Sequence, residues 1–199
     1  MKELDFQKNS DGLIPAVIQD AVTLKVLMVG YMNQEAYQKS VEEGVVTFFS
    51  RTKQRLWTKG ETSGNFLNIV SIYQDCDNDT LLVMVRPVGA ACHRGTTSCF
   101  DTPENEGFVR KLADYIVQRK EQMPEGSYTT YLFEKGVNKI AQKVGEEAVE
   151  TVIEAIDDNR ERLIYESSDL MYHLLVLLTH KGISLEEIEN ELKSRHKVE

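Results

Sequence analysis

Apolar and polar positions follow one rhythm through the first hundred residues and another after them. Four short runs rich in β-branched and aliphatic side chains, Leu24 to Val29, Val45 to Ser50, Phe66 to Tyr73 and Leu81 to Val85, read as strands. Between the first two, Asn33 is a candidate N-cap for a helix running to about Glu43, where Gly44 can take the left-handed stop. This half therefore reads as α+β with a substantial β-sheet. From Asp101 onward the period becomes helical. Thr102 as N-cap and Pro103 at the first helical position predict a helix start, and Phe108, Leu112, Tyr115 and Ile116 recur at its spacing. Gly126, Gly136 and Gly182 then punctuate four further helical segments, roughly 129–135, 137–156, 160–181 and 185–195. The pattern predicts two domains, 1–104 and 105–199, the second all-α.

The helical half carries acids in register. Glu146, Glu147 and Glu150 form E-E-x-x-E, and Glu166 and Asp169 form E-x-x-D. Spacings of three and four place each set on one side of its helix. A turn at Asp157 to Asn159 would set Glu147 opposite Asp169 and Glu150 opposite Glu166 in an antiparallel hairpin. Like charges gathered so closely repel unless a cation neutralises them. A solvated acidic face is the bland alternative, but Leu170, His173 and Leu174 make the second helix too apolar to be merely surface. Mg²⁺ held by these acids would serve a phosphate-bearing substrate. Lys139 and Lys143, one and two turns earlier, could hold phosphate or be ordinary exposed lysines.

Composition narrows the classes. The 199 residues are 41% hydrophobic with a formal net charge of −9. That balance disfavours nucleic acid as a partner, because such binding rests on clustered Lys and Arg. No apolar segment in MKELDFQKNSDG suggests export, and the longest later run, Leu174 to Leu178, is far too short to span a bilayer, so no membrane association and a cytoplasmic location are expected.

The chain's three cysteines, Cys76, Cys92 and Cys99, lie within one short segment. An odd number makes a disulfide framework unconvincing, leaving buried thiols or thiolates on one zinc. Cys76 sits within DCDNDTLLVMV, whose D-x-D-x-D spacing suggests an EF-hand, yet Thr80 and Arg86 fill the places where that loop needs Gly and Glu. In an extended chain Asp75, Asp77 and Asp79 would point one way and Cys76 the other, so hard oxygens for Mg²⁺ and a soft thiolate for Zn²⁺ could serve different metals. Three protein ligands would leave zinc a position for water. CHRGTTSC adds His93, a general base or a hydrogen-bonded loop residue.

SRTKQRLWTKGETSGN offers Arg51, Lys53 and Arg55 at alternate positions, then Trp57, Lys59 and a Gly-bounded turn able to cradle an anion. The competing interpretation is an exposed strand face in a hairpin, with Trp57 as core or as a stacking platform.

YTTYLFEKGVNKIAQKVGEEAVETVIEA followed by ESSDLMYHLLVLL resembles phosphoribosyl-ATP pyrophosphatase, an all-α relative of the MazG-type nucleotide pyrophosphatases, over nearly the whole second half. The resemblance implies a MazG-like bundle completed by dimerisation, and Mg²⁺-dependent attack of water on the α/β-phosphate link with Glu147 and Glu150 catalytic. MNQEAYQKS, SRTKQRLWTKGETSGN, DCDNDTLLVMV and CHRGTTSCF together resemble phosphoribosyl-AMP cyclohydrolase. That likeness implies zinc on Cys76, Cys92 and Cys99, Mg²⁺ on Asp75, Asp77 and Asp79, and a homodimer with zinc ligands from both chains. It also implies that Arg51, Lys53, Arg55, Trp57, Lys59, Glu61, Ser63, Gly64 and Arg94 meet the substrate, with His93 catalytic. Opening of the purine ring by zinc-hydroxide attack follows, as a second step of histidine biosynthesis. The alternative is a MazG-like nucleoside triphosphate pyrophosphatase fused to a metal-binding, non-catalytic module.

Overall fold

A computed structural model describes residues 4–103 and 105–196. The chain divides into two compact units, Met1–Phe108 and Val109–Glu199, the first strand-rich and the second helical. The boundary expected after residue 104 falls on Glu104, which lies outside the described residues.

In the first unit β1 (Ile14–Asp20), β2 (Val26–Met32), β5 (Leu67–Gln74) and β6 (Leu81–Pro87) form one sheet in the order β2-β1-β6-β5. β1 pairs with β6 in parallel, and the other two pairings are antiparallel. β3 (Thr47–Ser50) and β4 (Arg55–Thr58) make a separate hairpin. α1 (Gln34–Glu43) has the expected ends: Asn33 accepts the Ala36 N–H, and Gly44 is left-handed. The four expected strands exist with bounds shifted by one to a few residues. β1 is an addition, because Pro15 and Gln19 interrupt an apolar run that otherwise alternates, burying Ile14, Ala16 and Ile18. Those three pack with Leu27, Met32, Phe48, Leu81 and Val83 in one core.

The second unit is built from α2 (Phe108–Gln122), α3 (Tyr128–Lys135), α4 (Val137–Ile156), α5 (Arg160–Lys181) and α6 (Leu185–Arg195). α4 and α5 form the antiparallel hairpin, turning at Asp157 to Asn159 with Asp158 in the left-handed region. Ile116, Leu132, Ile140 and Val176 centre the core. The helix expected to start at Thr102 and Pro103 begins instead at Phe108. The Pro103 carbonyl accepts the Lys25 ammonium at 2.8 Å and the Glu106 N–H, and Gly107 has φ +72° where a Cβ would lie 2.5 Å from the Thr23 carbonyl oxygen. Backbone groups committed to a turn of positive φ cannot continue into a helix.

Gly30 on β2 shows how tightly the first core is closed. A Cβ there would lie 2.2 Å from the ring of Phe48, itself buried and packed on Trp57 at 5.7 Å. Gly30→Ala should destabilise the protein by about 1–3 kcal/mol, the usual cost of overpacking, read as a lowered urea midpoint of the strand-rich unit. An unchanged midpoint would show that the ring can move aside.

Candidate active sites

The DCDND stretch is a tight turn between β5 and β6 rather than an extended segment. Asp75 Oδ1 accepts the N–H groups of Asp79 and Thr80 at 3.1 and 3.2 Å, and Asn78 takes a positive φ of 62°. The turn, not strand alternation, brings one carboxylate oxygen each from Asp75, Asp77 and Asp79 within 4.8 Å of one another. Their mutual repulsion is relieved by Lys8, whose ammonium bonds Asp77 and lies 2.7 Å from Asp79. That cation holds both carboxyls below the usual range. Beside the turn a cavity of about 780 Å³ is lined by Phe6, Tyr37, Gln74, Asp77 and Asn78 among others.

Cys92 is buried, whereas Cys76 and Cys99 are exposed, and all three are free thiols. Cys92 and Cys99 lie near enough for each to shift the other's titration. The Arg94 N–H, donating to Cys92 Sγ at 3.5 Å, and then the nearby Thr96 hydroxyl lower its pKa; partial burial, then the neighbouring Cys92, raises that of Cys99. Cys76 instead sits against Asp77 Oδ1 at 4.0 Å, and among the described residues of one chain it forms no three-ligand group with the other two. His93 Nδ1 is 3.9 Å from Cys92 Sγ. Paired soft donors with a thiolate-stabilising backbone suit zinc, and the oxygen triad suits Mg²⁺.

The basic residues of the hairpin divide. Arg51 and Lys53 lie in the β3–β4 turn, with the Arg51 guanidinium 3.8 Å over the Tyr31 ring. Arg55 on β4 pairs with Glu61 at 2.7 Å, which lowers the Glu61 pKa, so these two are partners rather than independent contacts. Trp57 is half-buried against Phe48. Lys59 is buried close enough to Cys99 for its charge to favour the thiolate. Ser63 accepts the Asn65 N–H, Gly64 has φ +75°, and Arg94 is exposed.

In the helical unit Glu147 and Glu150 of α4 and Glu166 of α5 each bring a carboxylate oxygen within 4.8 Å of the other two. Glu147 and Glu166 are 4% and 2% exposed, while Glu150 opens to solvent. Lys143 bonds Glu147 at 2.8 Å and Glu146 at 2.9 Å, and Arg162 bonds Glu166 at 2.7 Å. The structure thus joins Glu150 to Glu166, as the hairpin register predicts. Glu146 turns aside to Gln142 and Lys143, with its pKa lowered chiefly by Lys143, and the Asp169 carboxylate stands outside the triad. Lys139 contacts Gln142. Burial pushes the Glu166 carboxyl up against the opposing pull of Arg162.

Three participants escaped the sequence reading. Arg162 lies one turn before Glu166, a spacing that could have flagged it. Lys8 lies 69 residues from Asp77 and carried no signal. Buried His173, noted only as a sign of burial, accepts the Tyr128 hydroxyl at Nε2 (3.1 Å), donates from Nδ1 to the Asp169 carbonyl (2.8 Å) and stands 3.8 Å from Glu147 Oε1.

Two family models match, one described as phosphoribosyl-AMP cyclohydrolase over residues 28–101 and one as phosphoribosyl-ATP pyrophosphohydrolase over residues 109–196. Relatives named histidine biosynthesis bifunctional protein HisIE match along the chain. The protein of Bacteroides thetaiotaomicron is 62% identical, that of Escherichia coli K12 57% and that of Salmonella typhimurium 54%. Each alignment covers 98% of this chain and 96% of the relative.

The raised Glu166 pKa has a thermodynamic sign. The native state holds the proton more tightly than the unfolded chain, so this group's stabilisation is full below the ordinary glutamate pKa and is lost as pH rises through the raised value. Glu166→Gln should therefore raise the melting temperature of the metal-free protein at pH 7 relative to pH 5. Thermal melts in EDTA at the two pH values check it, and an equal or larger loss at pH 7 would contradict the burial argument.

Proposed function

Because the chain belongs to the HisIE family of bifunctional histidine-biosynthesis proteins, we propose that it performs two successive hydrolyses on one nucleotide. Residues 105–199 cleave phosphoribosyl-ATP to phosphoribosyl-AMP and pyrophosphate, and residues 1–104 open the purine ring of phosphoribosyl-AMP. The observation that carries this reading is a coincidence: each matched segment lies within one compact unit and contains one carboxylate triad.

In the helical unit Glu147, Glu150, Glu166 and Asp169 would hold Mg²⁺, with Glu146 in reserve on the same turn. The ion's contribution is to neutralise phosphate charge and orient the α/β-phosphate link. Lys143 and Lys139 exchange their carboxylate and amide partners for phosphate oxygens. Glu147 and Glu150 accept the proton of the attacking water as its oxygen bonds to phosphorus and the bridging P–O bond breaks. Burial of Glu147 and Glu166 favours this arrangement, since buried acids without a compensating cation are costly.

In the strand-rich unit Cys92 and Cys99 of one chain, with Cys76 of a second copy, would hold zinc, and Asp75, Asp77 and Asp79 Mg²⁺. A zinc ion held by that thiolate set would supply an acidified water near neutral pH. His93 takes up the proton, Lys59 favours the Cys99 thiolate, and Arg51, Lys53, Arg55 and Arg94 meet phosphate. Trp57, Glu61, Ser63 and Gly64 shape the remainder of the pocket. Water adds to the purine ring, which its N1 phosphoribosyl group leaves cationic, and the bond from N1 to the attacked carbon breaks. A homodimer is favoured by the separation of Cys76 from the other thiols. It is favoured too by the apolar side chains that α4 and α5 leave open, Val149, Val152, Ile164 and Ile156, the last 78% exposed. We assign both steps to the cytoplasm, where free thiols persist.

The test is mass spectrometry of products from the full chain with phosphoribosyl-ATP, Mg²⁺ and stoichiometric Zn²⁺. The wild type should give pyrophosphate and the ring-opened nucleotide. Cys92→Ala should stop at phosphoribosyl-AMP, and Glu150→Ala should leave the starting nucleotide uncut, each losing at least about 100-fold in its own step, the scale of removing a metal ligand or its support. Intact phosphoribosyl-ATP after incubation with the wild type would sink the reading.

A further inference from the structure

Beside the Glu147 cluster stands a group of aromatic side chains with no part in the metal and proton chemistry of either hydrolysis. α3 opens with Tyr128, placed by its Ser127 N-cap, and Tyr131 follows at a spacing of three on the same face. The two rings are 6.1 Å apart and 22° from parallel, and Tyr172 of α5 stacks on Tyr128 at 6.4 Å and 23°. Tyr172 is largely enclosed and hydrogen bonds Thr129 at 2.8 Å. Tyr128 and Tyr131 keep 49% and 41% of their surface open.

Nothing in core packing requires two phenol rings to stay stacked in solvent beside a charged cluster. Their placement is nevertheless held firmly. The Tyr128 hydroxyl donates to His173 Nε2, leaving His173 Nδ1–H for the Asp169 carbonyl, so the ring cannot swing without breaking a bond to a buried imidazole. One imidazole is all that separates the phenol oxygen from the Glu147 carboxylate. A half-exposed aromatic ring is thus anchored next to the groups that would handle a triphosphate.

We propose that Tyr128, flanked by Tyr131, is the stacking platform for the purine of the nucleotide cleaved by the helical unit. The inference rests on the reading of that unit as a phosphoribosyl-ATP pyrophosphatase and names the residue that would select its substrate. A purine carrying a glycosyl group on N1 as well as N9 is a cation, and an electron-rich phenol face attracts a cation more than the neutral purine of ATP. Stacking alone tolerates any base, whereas the added cation–π attraction favours the N1-substituted one.

Steady-state kinetics of the full chain tests this, with pyrophosphate release from phosphoribosyl-ATP as the readout and Mn²⁺ binding followed by electron paramagnetic resonance alongside. Tyr128→Leu should raise KM about tenfold, the scale of one base–aromatic stack, with kcat within about twofold and Mn²⁺ affinity unchanged. Tyr128→Trp, which keeps a π-face, should hold KM near the wild-type value. An unmoved KM in Tyr128→Leu overturns the proposal. So does a KM defect that disappears at higher protein concentration together with recovery of a dimer, because the ring would then serve assembly. If Tyr128→Leu does not fold, Tyr128→Phe and Tyr128→Trp decide: a platform keeps KM in both, and a tenfold rise in both overturns it. Wild-type protein that releases no pyrophosphate would instead refute the pyrophosphatase reading itself.

Discussion

Negative charge confined to a small space is the constraint around which both units are arranged. Three aspartates share one turn in the strand-rich unit, and three glutamates share one face of a helical hairpin in the other. Each group is tolerable only with cations nearby, and each has them: Lys8 for the aspartates, Lys143 and Arg162 for the glutamates. The two solutions differ in burial. The aspartates are largely solvated, so their pairing with Lys8 lies in a medium that screens it. Glu147 and Glu166 are buried, where an unpaired carboxylate costs far more and the fold must supply partners of its own.

The scaffold accounts for how such groups are held. α4 and α5 run antiparallel from a turn closed by Asp158 in the left-handed region and by the Asn159 cap, which sets the register joining Glu150 to Glu166. His173, bonded at both ring nitrogens, ties α3 and α5 together beside that face. In the strand-rich unit the β5–β6 turn is stapled by Asp75 accepting two backbone N–H groups, so the residue that offers an oxygen also shapes the loop presenting it.

The donors also sort by chemistry. Thiols gather at Cys92 and Cys99, and carboxylates gather at the turn and on the hairpin. Soft and hard donors thus stand in separate groups with no residue in common. The cyclohydrolase match over the first segment contains the thiols and the aspartates, and the pyrophosphohydrolase match over the second contains the glutamates.

Local periodicity and turn chemistry were enough to read α1 with both its ends, the α4–α5 hairpin with its turn, and the pairing of Glu150 with Glu166. Each depends on residues within a few turns of one another, and helical spacing fixes which side chains share a face. The first segment of the helical half was misread at its start, because Lys25 and Thr23, some eighty residues earlier in the chain, claim the Pro103 carbonyl and crowd Gly107. β1 was invisible for a related reason: its parallel partner β6 lies more than sixty residues away, and only that pairing makes Ile14, Ala16 and Ile18 a buried face. Residue types and spacing alone named the acids and thiols as candidate ligands. Which of them meet, that Lys8 reaches Asp79 and that Cys76 stands apart from Cys92 and Cys99, was decided by tertiary structure, because contacts across long loops depend on packing that no local window contains.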